Sequence, residues 1–155
     1  MPSVSLKKPD HAQMREANAL LRDMREAHQS LQACFDELEK VLARPALDQG
    51  ALTSVRLKLA GFRLTRGPLI TRVSDLLAGS LSATEEAMME ELHASHYRLL
   101  QSATMHTAKW TLDAISKNWS EYREDTRELV RKWAGKADRE QRLVYPLVQR
   151  CAGLG

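Results

Sequence analysis

Apolar residues recur every three or four positions along four consecutive segments of the chain, and short polar stretches separate these segments. This spacing places the apolar residues on one face of an α-helix. The first segment runs from Met14 to Leu42, and Asp10 before it is a favourable N-cap. Arg44-Pro45 stops it, because proline disfavours helical geometry in the residue that precedes it.

The next two segments have equally clear boundaries. The second begins after Asp48-Gln49-Gly50 and ends at Leu77-Ala78-Gly79. The third begins at Ser82, which forms a capping box with Glu85, and runs to about Ile115. The pattern therefore predicts two more helices.

A fourth helix is predicted from Asn118 as N-cap, with Glu121 completing a second capping box, to Tyr145-Pro146 or slightly beyond. The four segments are similar in length and the connections are short, which is typical of up-down-up-down bundles. We expect an all-α fold: one antiparallel four-helix bundle that forms a single domain over residues 1–155, with a flexible N-terminus at 1–9. Because Gly67-Pro68 interrupts the second segment, that helix is expected to be kinked or broken there.

Composition narrows the class of protein. Residues 1–155 contain no uncharged apolar run long enough to cross a membrane, and the N-terminus lacks the apolar region of a secretory signal. Cys34 and Cys151 match no metal-ligand spacing and suit a reducing cytoplasm. The net charge is only +3, so neither nucleic acid nor a membrane is expected as a partner.

Four polar residues interrupt the apolar faces, one in each predicted helix: His28, Arg66, His96 and Glu140. Counting from the turns at about 1.5 Å per residue places all four at a similar depth. We call them the polar layer. They are the candidate site of the protein.

Three interpretations of the polar layer remain open. The four side chains can satisfy one another, with Arg66 pairing with Glu140, because a buried carboxylate is costly unless it is paired. They can form a polar pocket for a small ligand, helped by the break at Gly67-Pro68. Alternatively, they can hold iron or zinc through His28, His93, His96 and Glu140, although the charge of Arg66 opposes a metal ion.

The last predicted helix resembles the closing segment of hemerythrin-like (HHE cation-binding) domains. The resemblance rests on Glu140 followed by Tyr145-Pro146-Leu147, on His28 where the family places its first ligand histidine, and on residues 110–126, which are similar to bacterial members. It covers roughly residues 20–150 and implies a four-helix bundle around a di-iron site. His28, His93 or His96, and Glu140 would then be the retained ligands.

Two departures from the family pattern argue against that iron chemistry. The second helix has Arg66-Gly67-Pro68 where the family has a histidine and a glutamate, and Lys136 stands in place of another ligand histidine. The resemblance therefore implies a degenerate hemerythrin-like bundle without a cofactor, in which Arg66 replaces the metal. Residual binding of iron or zinc is the alternative.

No phosphate-binding loop, nucleophile elbow or paired-carboxylate motif occurs in the sequence, so no catalytic residue is assigned. A non-catalytic regulatory, sensing or protein-interaction module is expected instead. Its partner would be another protein or a second copy of this chain, and the start of the first helix, with His11 and Met14, offers a surface for the second copy.

Overall fold

The structure is a computed structural model that describes residues 8–153. It is all-helical, as expected, and the described residues contain no strand. Four helices are long, and a fifth, very short one was not expected. In chain order they are α1 (His11–Leu42), α2 (Gln49–Leu77), α3 (Ala83–Lys109), α4 (Leu112–Lys117) and α5 (Trp119–Cys151). The predicted flexible N-terminus at 1–9 falls mostly outside the described residues.

The predicted starts of α1 and α3 are confirmed by their caps, whereas α2 starts at Gln49, slightly before the predicted point. The carboxylate of Asp10 accepts from the backbone N–H of Gln13, whose side chain accepts in turn from the Asp10 backbone. Ser82 and Glu85 form the same reciprocal pair at the start of α3. Asp48 caps α2 through the backbone N–H of Ala51. Each cap satisfies backbone donors that the first helical turn leaves free.

The third helix is shorter than expected. It ends at Lys109, because Trp110 leaves helical geometry, and the hydroxyl of Thr111 then caps α4. The buried indole of Trp110 donates to Asp125 of α5, which ties this corner to the neighbouring helix. The helical spacing of apolar residues in the sequence continues through this corner. The sequence pattern therefore gave no sign that the helix ends at Lys109.

The second predicted capping box is absent. Asn118 precedes α5, but its side chain makes no capping bond there and donates instead to the carbonyl of Ala114. The expected partnership of Asn118 with Glu121 was therefore wrong, since the tight turn from α4 already uses the asparagine amide.

Of the two outcomes expected at Gly67-Pro68, a kink or a break, the structure excludes the break. One helix runs through Pro68 to Leu77. A proline inside a helix leaves the carbonyl four residues earlier without its bond, here that of Leu64. Leu64 is 81% exposed, so water can solvate that carbonyl and the helix can continue.

Long-range ion pairs show which parts of the helices meet. Arg72, late in α2, pairs with Glu16 and Asp23, early in α1. Lys58, early in α2, pairs with Glu37, late in α1. Helix α5 packs on both α1 and α3, whereas direct packing of α2 on α3 is sparse. None of the helices within residues 8–153 is long and apolar enough to cross a membrane.

The apolar side chains form two separate groups. The first core cluster joins the early parts of α1 and α3 to the late parts of α2 and α5: Ala17, Leu20, Leu21, Met24, Val73, Leu76, Leu77, Met89, Leu92, Val144, Leu147, Val148, Cys151 and Ala152. The second core cluster joins the late part of α1 to the early parts of α2 and α5: Cys34, Leu38, Val41, Leu42, Leu52, Val55, Trp110, Ile115 and Tyr122. The polar layer lies between them.

Candidate functional site

Glu140 is the centre of the polar layer. One carboxylate oxygen accepts from the guanidinium of Arg66 on α2 and from Nε2 of His28 on α1, at 3.1 Å from the latter. The other oxygen accepts from the ammonium of Lys136, one turn earlier on α5. The sequence-predicted pairing of Arg66 with Glu140 is therefore present. The donors to this carboxylate come from three helices, α1, α2 and α5.

His28 extends the network to a further residue. Its Nδ1 is hydrogen-bonded to the hydroxyl of Tyr145 on α5. Since Nε2 faces a carboxylate and must donate, Nδ1 of a neutral imidazole is the acceptor and Tyr145 the donor. The chain Tyr145–His28–Glu140 thus fixes the orientation of the histidine ring.

The pattern of apolar faces did not place Lys136 in the polar layer, although the family resemblance put it at the position of a ligand histidine. Its side chain is fully buried, with 0% exposure, and its ammonium lies 5.6 Å from the centre of the Trp133 ring. The available signal was its position four residues before Glu140, which places both side chains on one helical face. A buried lysine needs a carboxylate, and Glu140 supplies it.

The surroundings shift the charge states in a consistent direction. Burial would by itself raise the pKa of Glu140, but the hydrogen bond from His28 and the charges of Arg66 and Lys136 outweigh it and hold that pKa well below its usual range. Burial lowers the pKa of Lys136 to about 8, although Glu140 opposes the shift. At neutral pH the layer is therefore an ion cluster.

His96 lies beside this cluster without bonding to Glu140. It faces inward with its ring edge-on to Trp133, at a centroid distance of 5.8 Å, whereas His93 is exposed. Burial lowers the pKa of His96 to about 4, and the charges of Lys136 and Arg66 add to the effect. Its Nδ1 and the Nε of Arg66 are buried without hydrogen-bond partners among the described residues.

The predicted metal set is not assembled as a ligand group. His28, His93, His96 and Glu140 border one cavity of about 50 Å³, but Arg66 and Lys136 border it too. Within residues 8–153, no three His, Cys, Asp or Glu side chains converge as metal ligands. Both oxygens of Glu140 already accept from cationic donors, so the residues as arranged do not fit iron or zinc.

A larger cavity opens next to the polar layer, between α2 and α3. This α2–α3 cleft measures about 360 Å³, within the range of ligand-binding pockets. Arg66 and His96 line both the cleft and the smaller cavity, so they form the wall between them. The remaining lining is mostly apolar: Leu31, Phe35, Leu38, Leu59, Ala60, Phe62, Leu100, Ala103, Leu129, Val130 and Trp133.

The two cysteines supply no reactive thiol to either cavity. Cys34 and Cys151 are free and buried in different core clusters. Burial raises the pKa of Cys34, so its thiol stays protonated at neutral pH and is a poor nucleophile.

No protein-family model, no curated protein and no solved structure matches the chain.

Proposed function

We propose that this chain is a degenerate hemerythrin-like four-helix bundle that has lost its di-iron site and acts as a non-catalytic sensing module. The observation that carries the proposal is the environment of Glu140, a carboxylate at a family ligand position. Arg66, Lys136 and His28 donate to it from three helices.

The helix contacts support the bundle. Early residues of α1 meet late residues of α2 through Arg72, and late residues of α1 meet early residues of α2 through Lys58. On α5, Arg127 near the start pairs with Glu39 near the end of α1. Such pairings are those of neighbouring helices that run in opposite directions, so α1, α2, α3 and α5 would form the bundle, with α4 as part of a connection.

Arg66 and Lys136 would take over the electrostatic role of the metal. A carboxylate between helices needs positive charge, which a bound cation or a pair of basic side chains can provide. Here the basic side chains come from the polypeptide itself, and they occupy both carboxylate oxygens. The layer would then hold three helices together without redox chemistry.

The connection between the two cavities supports sensing. Arg66 contacts Glu140 on one side and borders the α2–α3 cleft on the other. A molecule in the cleft would therefore touch a residue that joins α2 to α5, and its binding would bias the arrangement of these helices. The buried reduced cysteines are consistent with the cytoplasm as the place of action.

The metal content of untagged protein purified without chelator, together with its visible spectrum, tests the loss of the iron site. We expect a folded, colourless protein with far less than one equivalent of iron or zinc. Iron or zinc near one equivalent, lost in His28→Gln and Glu140→Gln but retained in His11→Gln, would overturn the proposal. His11 is a matched control because it is exposed on α1, away from the polar layer.

A further inference from the structure

The two long walls of the α2–α3 cleft differ in character. The α2 wall carries Arg56, Arg63 and Arg66, and ten residues of helix from the first to the last span about 15 Å. The α3 wall carries His96 and His106 near its two ends. Between these polar ends the walls and floor are apolar. The cleft is thus elongated, apolar along its length and basic along one side.

Its lining contains three arginines and no carboxylate. Arg66 is already neutralised by Glu140. Arg63 is exposed at the rim, where water solvates its charge.

Arg56 is the unusual member of the row. It is half-buried, and its guanidinium donates to the backbone carbonyl of Trp110 at 3.2 Å. It forms no ion pair with any residue in the described range 8–153. A carbonyl satisfies only one of its five N–H groups, and its other guanidinium nitrogens are not buried, so a ligand in the cleft can reach them. An anion from outside the chain would complete this site.

We propose that the α2–α3 cleft binds an elongated apolar monocarboxylic acid, with the carboxylate on Arg56 and the apolar tail extending towards Trp133. The assignment rests on the proposed sensing function and names its ligand class. A volume of about 360 Å³ holds about a dozen non-hydrogen atoms, at about 30 Å³ for each water-sized group. A ten-carbon fatty acid has this size and shape.

The two parts of such a ligand meet matching chemistry. Its tail removes the side chains of Phe62, Leu100 and Trp133 from water, which is favourable in proportion to the area covered. Its carboxylate forms charge-assisted hydrogen bonds with the unused N–H groups of Arg56. Ligands of this size reach dissociation constants on the order of 10–100 µM when their contacts are good.

Isothermal titration calorimetry with decanoate below its micellar concentration tests the site, and the fluorescence of the tryptophans provides a second signal. We expect one molecule of decanoate per chain. Decan-1-ol, which has the same tail and no charge, should bind at least about tenfold more weakly, and acetate, which has the charge and no tail, should not bind measurably.

Three variants locate the ligand. Arg56→Gln should weaken decanoate about tenfold or more and leave decan-1-ol unchanged. Ala60→Trp, at an exposed position that lines the cleft, should block both ligands. Arg131→Gln removes an exposed cation from α5 that does not line the cleft, and it should bind decanoate like the unaltered protein. Circular dichroism confirms that each variant is folded.

Absence of decanoate binding to the folded protein would overturn the ligand assignment. Equal affinity for decanoate and decan-1-ol, or an equal loss in Arg56→Gln and Arg131→Gln, would overturn the role of Arg56. These results are independent of the metal analysis. A metal-free protein that binds no acid refutes only the ligand, whereas an iron-loaded protein refutes the proposed loss of the iron site whether or not decanoate binds.

Discussion

The two core clusters and the middle of the molecule between them are built on different principles. The clusters are closed and apolar, with residues such as Leu20 and Leu52 at 0% exposure. The middle contains the ion cluster around Glu140 and the open α2–α3 cleft. The same helices build all of these parts, since α1, α2 and α5 each pass through the first core cluster, the middle and the second core cluster.

This contrast indicates that the two core clusters supply most of the stability of the fold, whereas the middle can contain less stable arrangements. Apolar side chains that are removed from water at both ends hold the helices in place. The middle can then tolerate buried charges and an open cavity, neither of which is the most stable solution for a core. Such local departures from good packing are expected where a protein binds something.

Removing the central carboxylate should have the largest effect. Glu140→Gln leaves Arg66 and Lys136 close together without their shared counter-charge, and we expect a loss of about 3–5 kcal/mol in the free energy of unfolding. Urea denaturation followed by circular dichroism measures it. A loss below about 1 kcal/mol would mean that water reaches the ion cluster and that its ion pairs contribute no more than surface salt bridges do.

Two further variants separate charge from packing. From the sequence alone, Arg66→Ala is also expected to cost about 3–5 kcal/mol, the range for leaving one buried charge unpaired. Because Lys136 and His28 remain bound to that carboxylate in the structure, we now expect about 1–2 kcal/mol. The double variant Lys136→Met/Glu140→Gln should recover part of the loss seen in Glu140→Gln, since it removes a buried cation along with its partner.

A pair of leucines on α2 compares the two regions directly. Leu52→Ala empties a fully buried site in the second core cluster and should cost about 3 kcal/mol. Leu59→Ala, two turns later, enlarges a cleft that is already open and should cost about 1 kcal/mol or less. Denaturation of the two variants under the same conditions gives the difference. Equal losses would show that the cleft is closed in solution.

Acidification should destabilise the middle of the molecule, which contains His96, before it affects the two core clusters. The unfolded chain protonates its histidines near pH 6.5, whereas folded His96 stays neutral down to about pH 4 because of burial and the nearby charges of Lys136 and Arg66. Between these pH values the unfolded state binds more protons than the folded state. The contribution of His96 to the free energy of unfolding is therefore fully present above pH 6.5 and decreases as the pH is lowered. At pH 5 the loss from His96 amounts to at most about 2 kcal/mol.

Denaturation at pH 7 and pH 5 checks this dependence. His96→Gln should remove most of the difference, and a smaller one should remain because burial also lowers the pKa of His106. Replacement of the exposed His11 by Gln should leave the difference unchanged. The lowered pKa of Glu140 acts only at lower pH, because its contribution is lost below about pH 4.5, the usual value of a glutamate. If His96→Gln keeps the whole difference, the pH dependence has another origin.

Local signals in the sequence were sufficient for most of the helices. Asp10, Asp48 and Ser82 carry the information for three helix starts, because a cap involves residues only three positions apart. The break at Trp110 was missed since its cause is tertiary, the contact of the indole with Asp125 on another helix. The sequence left open whether α2 kinks or breaks at Pro68 for the same reason, because the cost of this proline depends on whether Leu64 is exposed.

By itself, the sequence determined that the chain is helical, where three of its helices start, and that Arg66 and Glu140 face each other from two of them. Period, caps and depth along a helix are properties of a single segment, and they can be read before any packing is known. Only the tertiary structure decided that Lys136 and Tyr145 join the polar layer, that His96 rather than His93 faces inward, and that α2 and α3 stand apart around a cleft. Those features depend on the distances and rotations between helices, which the fit of all side chains sets together.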